Sequence, residues 1–106
     1  MSIVNIASLT GQTGHSITSV AHCATKAGVI GLTRRLATEL TFILGASSVA
    51  LSIIETDMVK NILDTLKKRK RAAEMHPLKD IGRPEDVAEA VFFLALPKSR
   101  FIHVRY

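Results

Sequence analysis

The stretch HCATKAGVIGLTRRLATEL, residues 22–40, decides the fold because it carries the longest helical pattern in the chain. Its apolar residues recur at steps of three and four positions: Val29, Leu32, Leu36 and Leu40. This period is typical of a helix with one buried face, and with its flanks it predicts a helix over 20–44. At the start of that helix His22 and Lys26 lie four residues apart, on the same side.

Small residues form a second stripe on the same helix: Ala21, Ala24, Gly28 and Gly31. Each glycine inside a helix costs about 1 kcal/mol relative to alanine. The stripe therefore predicts close approach by a neighbouring element or by a partner chain.

Short apolar runs predict the strands. The run SIVNIA, residues 2–7, suits a buried parallel strand, and the loop SLTGQTGHSITS follows it. The run SVALSII, residues 48–54, predicts a second strand, with Gly45 ending the helix before it. The run FIHV, residues 101–104, predicts a third strand.

Two further helices follow the second predicted strand. One is expected over 59–74, and the other starts at Pro84, where Glu85 and Asp86 complement the helix dipole. Strands that alternate with helices predict an α/β fold, a parallel sheet of about three strands covered by helices. No repeat or linker divides the sequence, so we expect a single domain over 1–106.

Composition points to a folded protein of a reducing compartment. The chain has 106 residues, of which 47% are hydrophobic, and its one cysteine, Cys23, cannot form an intrachain disulfide. The start MSIVNIAS has no basic n-region of a signal peptide, and the apolar window 42–54 is shorter than a membrane helix requires. We expect a soluble, cytoplasmic protein with no membrane partner.

The net charge of +5 owes much to the run KKRKR, residues 67–71. The run fits a solvated helix surface, and it also fits weak binding of a polyanion. No aromatic residue interrupts the run, so nucleic acid is not an expected partner.

Histidine and cysteine spacing does not predict a metal site. The histidines at 15, 22, 76 and 103 lack the spacing of metal ligands, and one cysteine does not complete a zinc site. Cys23 is next to His22, but consecutive helix residues point about 100° apart, so a packed thiol is expected rather than a Cys-His nucleophile.

Four segments together carry a family resemblance: IVNIAS (3–8), CATKAGVIGLTRRLATEL (23–40), IIETDM (53–58) and IGRPEDVAEAVFFLA (81–95). In this order and spacing they resemble the short-chain dehydrogenase/reductase family, specifically the C-terminal, catalytic half of its Rossmann-like domain. The resemblance covers nearly the whole chain. It implies a partial Rossmann-like sheet without the N-terminal dinucleotide-binding half.

The resemblance also implies roles for individual residues. In the family a serine holds the substrate oxygen, a tyrosine acts as general acid/base, and a lysine four residues later also holds the nicotinamide ribose. Those positions are Ser8, His22 and Lys26 here, and Thr56 stands where a threonine contacts the nicotinamide carboxamide. Catalytic Ser8, His22 and Lys26 and cofactor-binding Lys26 and Thr56 are therefore the predicted site, with NAD or NADP as the implied cofactor.

The sequence departs from the family at two of these places. His22 replaces the tyrosine, and Leu51 and Ser52 replace the usual Pro-Gly. The glycine-rich dinucleotide fingerprint is not present in these 106 residues. NAD(P) binding by this chain alone is therefore not expected.

The histidine also reverses the electrostatics of proton transfer. A lysine ammonium stabilises a tyrosinate, but it disfavours the imidazolium that His22 forms when it accepts a proton. An imidazole is also shorter than a phenol. We expect the inherited oxidoreductase activity to be strongly reduced.

Three functions are consistent with these observations. The first is NAD(P)-dependent oxidation or reduction of a small alcohol or carbonyl, inherited in weakened form from relatives that resemble 3-oxoacyl carrier-protein reductases. It calls for a complementary N-terminal half. The second is a noncatalytic module that forms a homo-oligomer through the long helix. The third is polyanion binding through residues 67–71.

Overall fold

The computed structural model describes residues 2–14, 18–40 and 45–102. Contacts divide the chain into two compact units, one formed by residues up to Ser52 together with those from Glu89 onward, and one formed by Ile53–Ala88. Helices and a parallel sheet alternate along the chain, so the predicted α/β class is confirmed.

The sheet of the first unit pairs β1, Ser2–Ser8, with β2, Gly45–Leu51. The strands are parallel and in direct register, from Ser2 opposite Gly45 to Ser8 opposite Leu51. Ala7 and Ala46 are almost fully buried between the sheet and its cover. The second strand begins earlier than predicted, because Gly45 belongs to the strand rather than ending a helix.

The third strand predicted for 101–104 does not form at Phe101 or Ile102, and residues 103 and 104 lie outside the described residues. A 3₁₀ helix, Pro97–Ser99, turns the chain just before this point. The Ser99 hydroxyl donates to the carbonyl oxygens of Leu94 and Leu96, 2.9 Å from each. These bonds stabilise a turn at Ser99. Within the described ranges the sheet has two strands.

The first two helices cover the sheet. Helix α1, Leu9–Thr13, lies in a segment predicted as loop, and Gly14 ends it with φ of 67°. Helix α2, Val20–Glu39, begins where predicted, because the Ser19 hydroxyl accepts from the His22 amide at 3.1 Å. Its predicted extension over 41–44 lies outside the described residues. Helix α2 contacts both strands and α1.

A buried polar chain joins β1 to α2. The Asn5 amide donates to the Thr33 hydroxyl at 2.9 Å, and that hydroxyl donates to the Val29 carbonyl at 2.7 Å. Thr33 has no solvent exposure. Because the buried Thr33 hydroxyl both accepts and donates a hydrogen bond, these bonds fix the alignment of the helix on the strand.

The second unit contains α3, Asp57–Ile62, and α4, Leu66–Glu74. One helix over 59–74 was predicted; the structure breaks it because Thr65 adopts an extended conformation and its hydroxyl accepts from the Lys68 amide at 3.2 Å. Helix α5, Pro84–Ala95, begins at the predicted proline.

In the second unit, an isolated parallel β-bridge between Ile54 and Gly82 holds the segment that precedes α3. The Gly82 amide donates to the Ile53 carbonyl at 2.9 Å, and the Glu55 amide donates to the Gly82 carbonyl at 2.8 Å. A side chain at position 82 would meet Ile54 Cδ1 at 2.5 Å. A larger residue at this position would displace the end of the Ile54 side chain, so glycine suits this close approach of the two segments.

Within the described residues, no element packs closely on the two glycines of the small-residue stripe on α2. Ala21, Ala24, Gly28 and Gly31 are exposed, and nothing among the described atoms lies within 4 Å of a Cβ built on either glycine. The predicted close approach by a neighbouring element is therefore not found in this part of the chain; the alternative of a partner chain stays a prediction. No helix in the described ranges is long and apolar enough to span a bilayer.

Candidate active site

Ser8 ends β1 and begins α1. Its Oγ accepts from the Thr10 amide at 3.3 Å and lies 2.9 Å from the Thr10 hydroxyl, so it caps the short helix. Thr10 is buried, whereas Ser8 is half-buried. The candidate catalytic hydroxyl is therefore held at the carboxyl end of the strand by its own neighbour.

Lys26 lies on the face of α2 that contacts the sheet, one turn before buried Ile30 and two turns before buried Thr33. A helix that connects parallel strands runs opposite to them, so its first turns lie near their carboxyl ends. The Lys26 Nζ donates to the Ile6 carbonyl of β1 at 3.1 Å. The ammonium is thereby fixed two residues from Ser8 along the strand.

Helix α1 adds a second link between these parts of the site. A Cβ at Gly11 would lie 2.7 Å from both the Ala27 nitrogen and the Lys26 carbonyl carbon. Cys23 is half-buried and its thiol lies 3.1 Å from the Thr10 carbonyl oxygen, a packed position as predicted. The helix that follows Ser8 thus rests directly on the backbone that carries Lys26.

His22 lies one helical turn before Lys26 and is half-buried. Its backbone is well held, since its carbonyl accepts from the Thr25 hydroxyl at 2.9 Å. Among the hydrogen bonds of the described ranges, none reaches the imidazole ring. No partner in that part of the chain orients the ring or selects its tautomer.

Thr56 belongs to the second unit, where it begins α3. Its Oγ1 accepts from the Val59 amide at 3.4 Å, and the residue is exposed. The bridge at Gly82 holds the backbone just before it. The hydroxyl proton of Thr56 is not used by this cap, so the side chain keeps one donor.

The structure places Lys26 Nζ at the Ile6 carbonyl, two residues before Ser8 on β1, with His22 one turn before Lys26 on α2. Sequence reasoning missed Asn5, Thr10 and Gly11, which hold this part of the chain in place. The spacing of Ser8 and Thr10 is a signal for a helix cap. Gly11 carries no such signal. No cluster of three or more metal-ligating side chains occurs in the described ranges.

Comparisons with known proteins identify the family of this chain. Residues 1–105 match the family model described as enoyl-(acyl carrier protein) reductase. The chain is 38% identical over 101 residues to the 3-oxoacyl-[acyl-carrier-protein] reductase FabG of Rickettsia felis, covering 94% of this chain and 41% of that protein.

Solved structures agree. A short-chain dehydrogenase/reductase of Brucella melitensis, described as a glucose/ribitol dehydrogenase, superposes with a TM-score of 0.87 at 31% identity, covering 96% of this chain and 40% of that one. An Agrobacterium tumefaciens protein assigned as a 2-deoxy-d-gluconate 3-dehydrogenase, with bound NADP, gives a TM-score of 0.88 at 32% identity, covering 96% and 42%. The chain spans about 40% of the length of the curated relatives it matches. It belongs to the short-chain dehydrogenase/reductase family.

Proposed function

We propose that this chain provides the catalytic half of an NAD(P)-dependent oxidoreductase site that acts on a small carbonyl or alcohol, with proton transfer weakened at His22. The observation that carries the proposal is the Lys26 Nζ bond to the Ile6 carbonyl at 3.1 Å, which fixes the ammonium beside the strand that ends in Ser8. The names of the relatives suggest a 3-oxoacyl or 3-hydroxyacyl thioester as substrate.

The donor groups present fit the nicotinamide part of the cofactor. An ammonium has three N–H donors, and Ile6 uses one in the described structure, which leaves two for ribose hydroxyls. The free O–H of Thr56 suits a carboxamide oxygen. When bound, NAD or NADP would supply or accept the hydride at the substrate carbon. The adenine and pyrophosphate groups would be held by a complementary N-terminal half.

Ser8 and His22 would act on the substrate oxygen. The Ser8 hydroxyl, oriented by Thr10, would hydrogen-bond the carbonyl or alcohol oxygen. His22 would exchange the proton with that oxygen, but no hydrogen bond of the described ranges orients its ring for the transfer. The chain's own residues therefore support binding and orientation better than they support proton transfer.

The proposal is tested by cofactor binding after addition of a dinucleotide-binding half. The N-terminal part of the Rickettsia felis reductase is mixed with this chain, and NADPH binding is followed by fluorescence. We expect Lys26→Met to weaken binding by about tenfold, the effect of losing one charge-assisted hydrogen bond. Lys98→Met, at an exposed residue outside the site, should leave binding unchanged. Equal binding by both variants would refute the role of Lys26.

A second candidate function is self-association through α2. The stripe of small residues is exposed, and Leu32 beside it is 54% exposed. Small residues on a helix face allow two helices to approach closely, and copies of one chain most often pair symmetrically.

The self-association is tested by light scattering. Ala24→Glu places a charge in the stripe and should convert an oligomer to a monomer, because an unpaired charge inside an interface is costly. Thr25→Glu adds the same charge one position away, about 100° around the helix, and should leave the oligomer intact. A parent chain that is monomeric at high concentration would exclude this function.

A further inference from the structure

Three cations of helix α4 form no ion pair with another described residue, although the exposed Glu74 lies on the same helix face. Lys67, Lys70 and Arg71 are exposed, and their spacing places them on one face of the helix. The other two cations of the run are paired: Lys68 Nζ lies 3.0 Å from the Asp64 carboxylate, and Arg69 contacts the Glu55 carboxylate. No ion pair of the described residues reaches the remaining three.

The packing of α4 fixes this face outward. Ala72 on the opposite side is 4% exposed and Ala73 is half-buried, so small residues seat the helix on its own unit. Long cationic side chains cannot take the place of Ala72 and Ala73 in the buried contact between α4 and its unit. Lys67, Lys70 and Arg71 are therefore accessible to an anion outside this unit, with Glu74 as an exposed carboxylate on the same face.

Two exposed aliphatic side chains lie near the cations along the sequence. Leu66 begins α4 and is 86% exposed, and Leu78, in the turn that follows α4, is 90% exposed. A phosphate backbone offers no apolar surface to bury them, and residues 53–88 contain no Phe, Trp or Tyr on which bases could stack. The centre of a protein–protein interface is typically rich in aromatic anchors, and residues 53–88 contain none.

We propose that this face of α4 docks on an anionic lipid surface. Lys67, Lys70 and Arg71 contact lipid head groups, and Leu66 and Leu78 reach the boundary of the acyl chains. A bilayer accepts cations and exposed aliphatic side chains together and requires no shaped pocket. The association is peripheral and departs from the sequence-based expectation of no membrane partner. It does not depend on the oxidoreductase function proposed above.

The test is cosedimentation of the 106-residue chain with vesicles of phosphatidylserine and phosphatidylcholine in equal parts, and with vesicles of phosphatidylcholine alone. We expect binding to the anionic vesicles only, weakened by salt. The triple variant Lys67→Gln, Lys70→Gln, Arg71→Gln should bind roughly 100-fold more weakly, about fivefold for each cation. A second triple variant, Arg34→Gln, Arg35→Gln, Lys98→Gln, removes equal charge elsewhere and should bind like the parent.

A second pair of variants separates lipid from other anions. Leu66→Gln with Leu78→Gln should reduce vesicle binding roughly tenfold, whereas Val20→Gln, at an apolar residue that is 88% exposed outside α4, should not. Circular dichroism checks that each variant is folded. Equal binding to neutral vesicles, equal loss with the two triple variants, or binding to a duplex oligonucleotide that the leucine variants leave unchanged would each overturn the proposal.

Discussion

Replacing His22 with tyrosine is expected to raise the turnover of the reconstituted enzyme by about 10²–10⁴-fold, the range that a well-placed general acid/base contributes. The reason is the sign of the charge that proton transfer leaves behind. Lys26 Nζ is held at the Ile6 carbonyl, one helical turn from position 22. An ammonium there stabilises a phenolate, whereas no hydrogen bond of the described ranges orients the His22 ring.

The measurement is NADPH oxidation over a panel of carbonyl compounds, with the dinucleotide-binding half supplied by the N-terminal part of a relative. A matched control is His22→Tyr combined with Lys26→Met, which should lose most of the gain because the phenolate then has no ammonium beside it. If His22→Tyr alone leaves the turnover of every compound unchanged, inherited catalysis at this site is refuted.

Replacing Gly11 with alanine is expected to lower the free energy of unfolding by about 3 kcal/mol, at the upper end of the cost of overpacking. The new Cβ would meet the backbone of Lys26 and Ala27 at 2.7 Å. Backbone atoms of a helix cannot move aside as the end of a side chain can. Helix α1 must therefore shift, and Ser8, which caps it, shifts with it.

Gly28→Ala is the matched control on the neighbouring helix. Position 28 has no described atom within 4 Å of a new Cβ, so alanine should raise the free energy of unfolding by about 0.5–1 kcal/mol through its helix propensity. Urea unfolding measures the change in both variants. The protein concentration is chosen so that the parent and the two variants have the same oligomeric state. Equal changes in the two variants would contradict the close approach at Gly11.

The sequence was sufficient to predict elements whose signals are local. The alternation of strand and helix, the start of α2 at Val20 and the start of α5 at Pro84 follow from apolar period, caps and proline. The break between α3 and α4 was missed because the basic residues around it have good helix propensity, and the cap at Thr65 decides the outcome. The predicted strand at 101–104 failed at Phe101 and Ile102 because the Ser99 hydroxyl turns the chain before them.

The candidate site shows the same difference between features with a sequence signal and features that depend on tertiary packing. Ser8, His22 and Lys26 were predicted from their order and spacing in the family pattern, and in the structure Lys26 Nζ binds the Ile6 carbonyl, two residues before Ser8 on β1. A close approach by a neighbouring element or a partner chain was predicted at Ala21, Ala24, Gly28 and Gly31, whereas within the described residues a close backbone approach occurs at Gly11. Glycine content alone cannot identify the contact, because which helix faces which backbone depends on tertiary packing.

The bond from Lys26 to Ile6 has a consequence for how this site changes over evolutionary time. Its acceptor is a main-chain carbonyl, which every amino acid provides. Substitutions at position 6 that preserve the strand therefore leave the ammonium where it is. The position of the Lys26 ammonium therefore depends on the strand and not on which side chain stands at position 6, so this bond does not by itself show that catalysis is maintained.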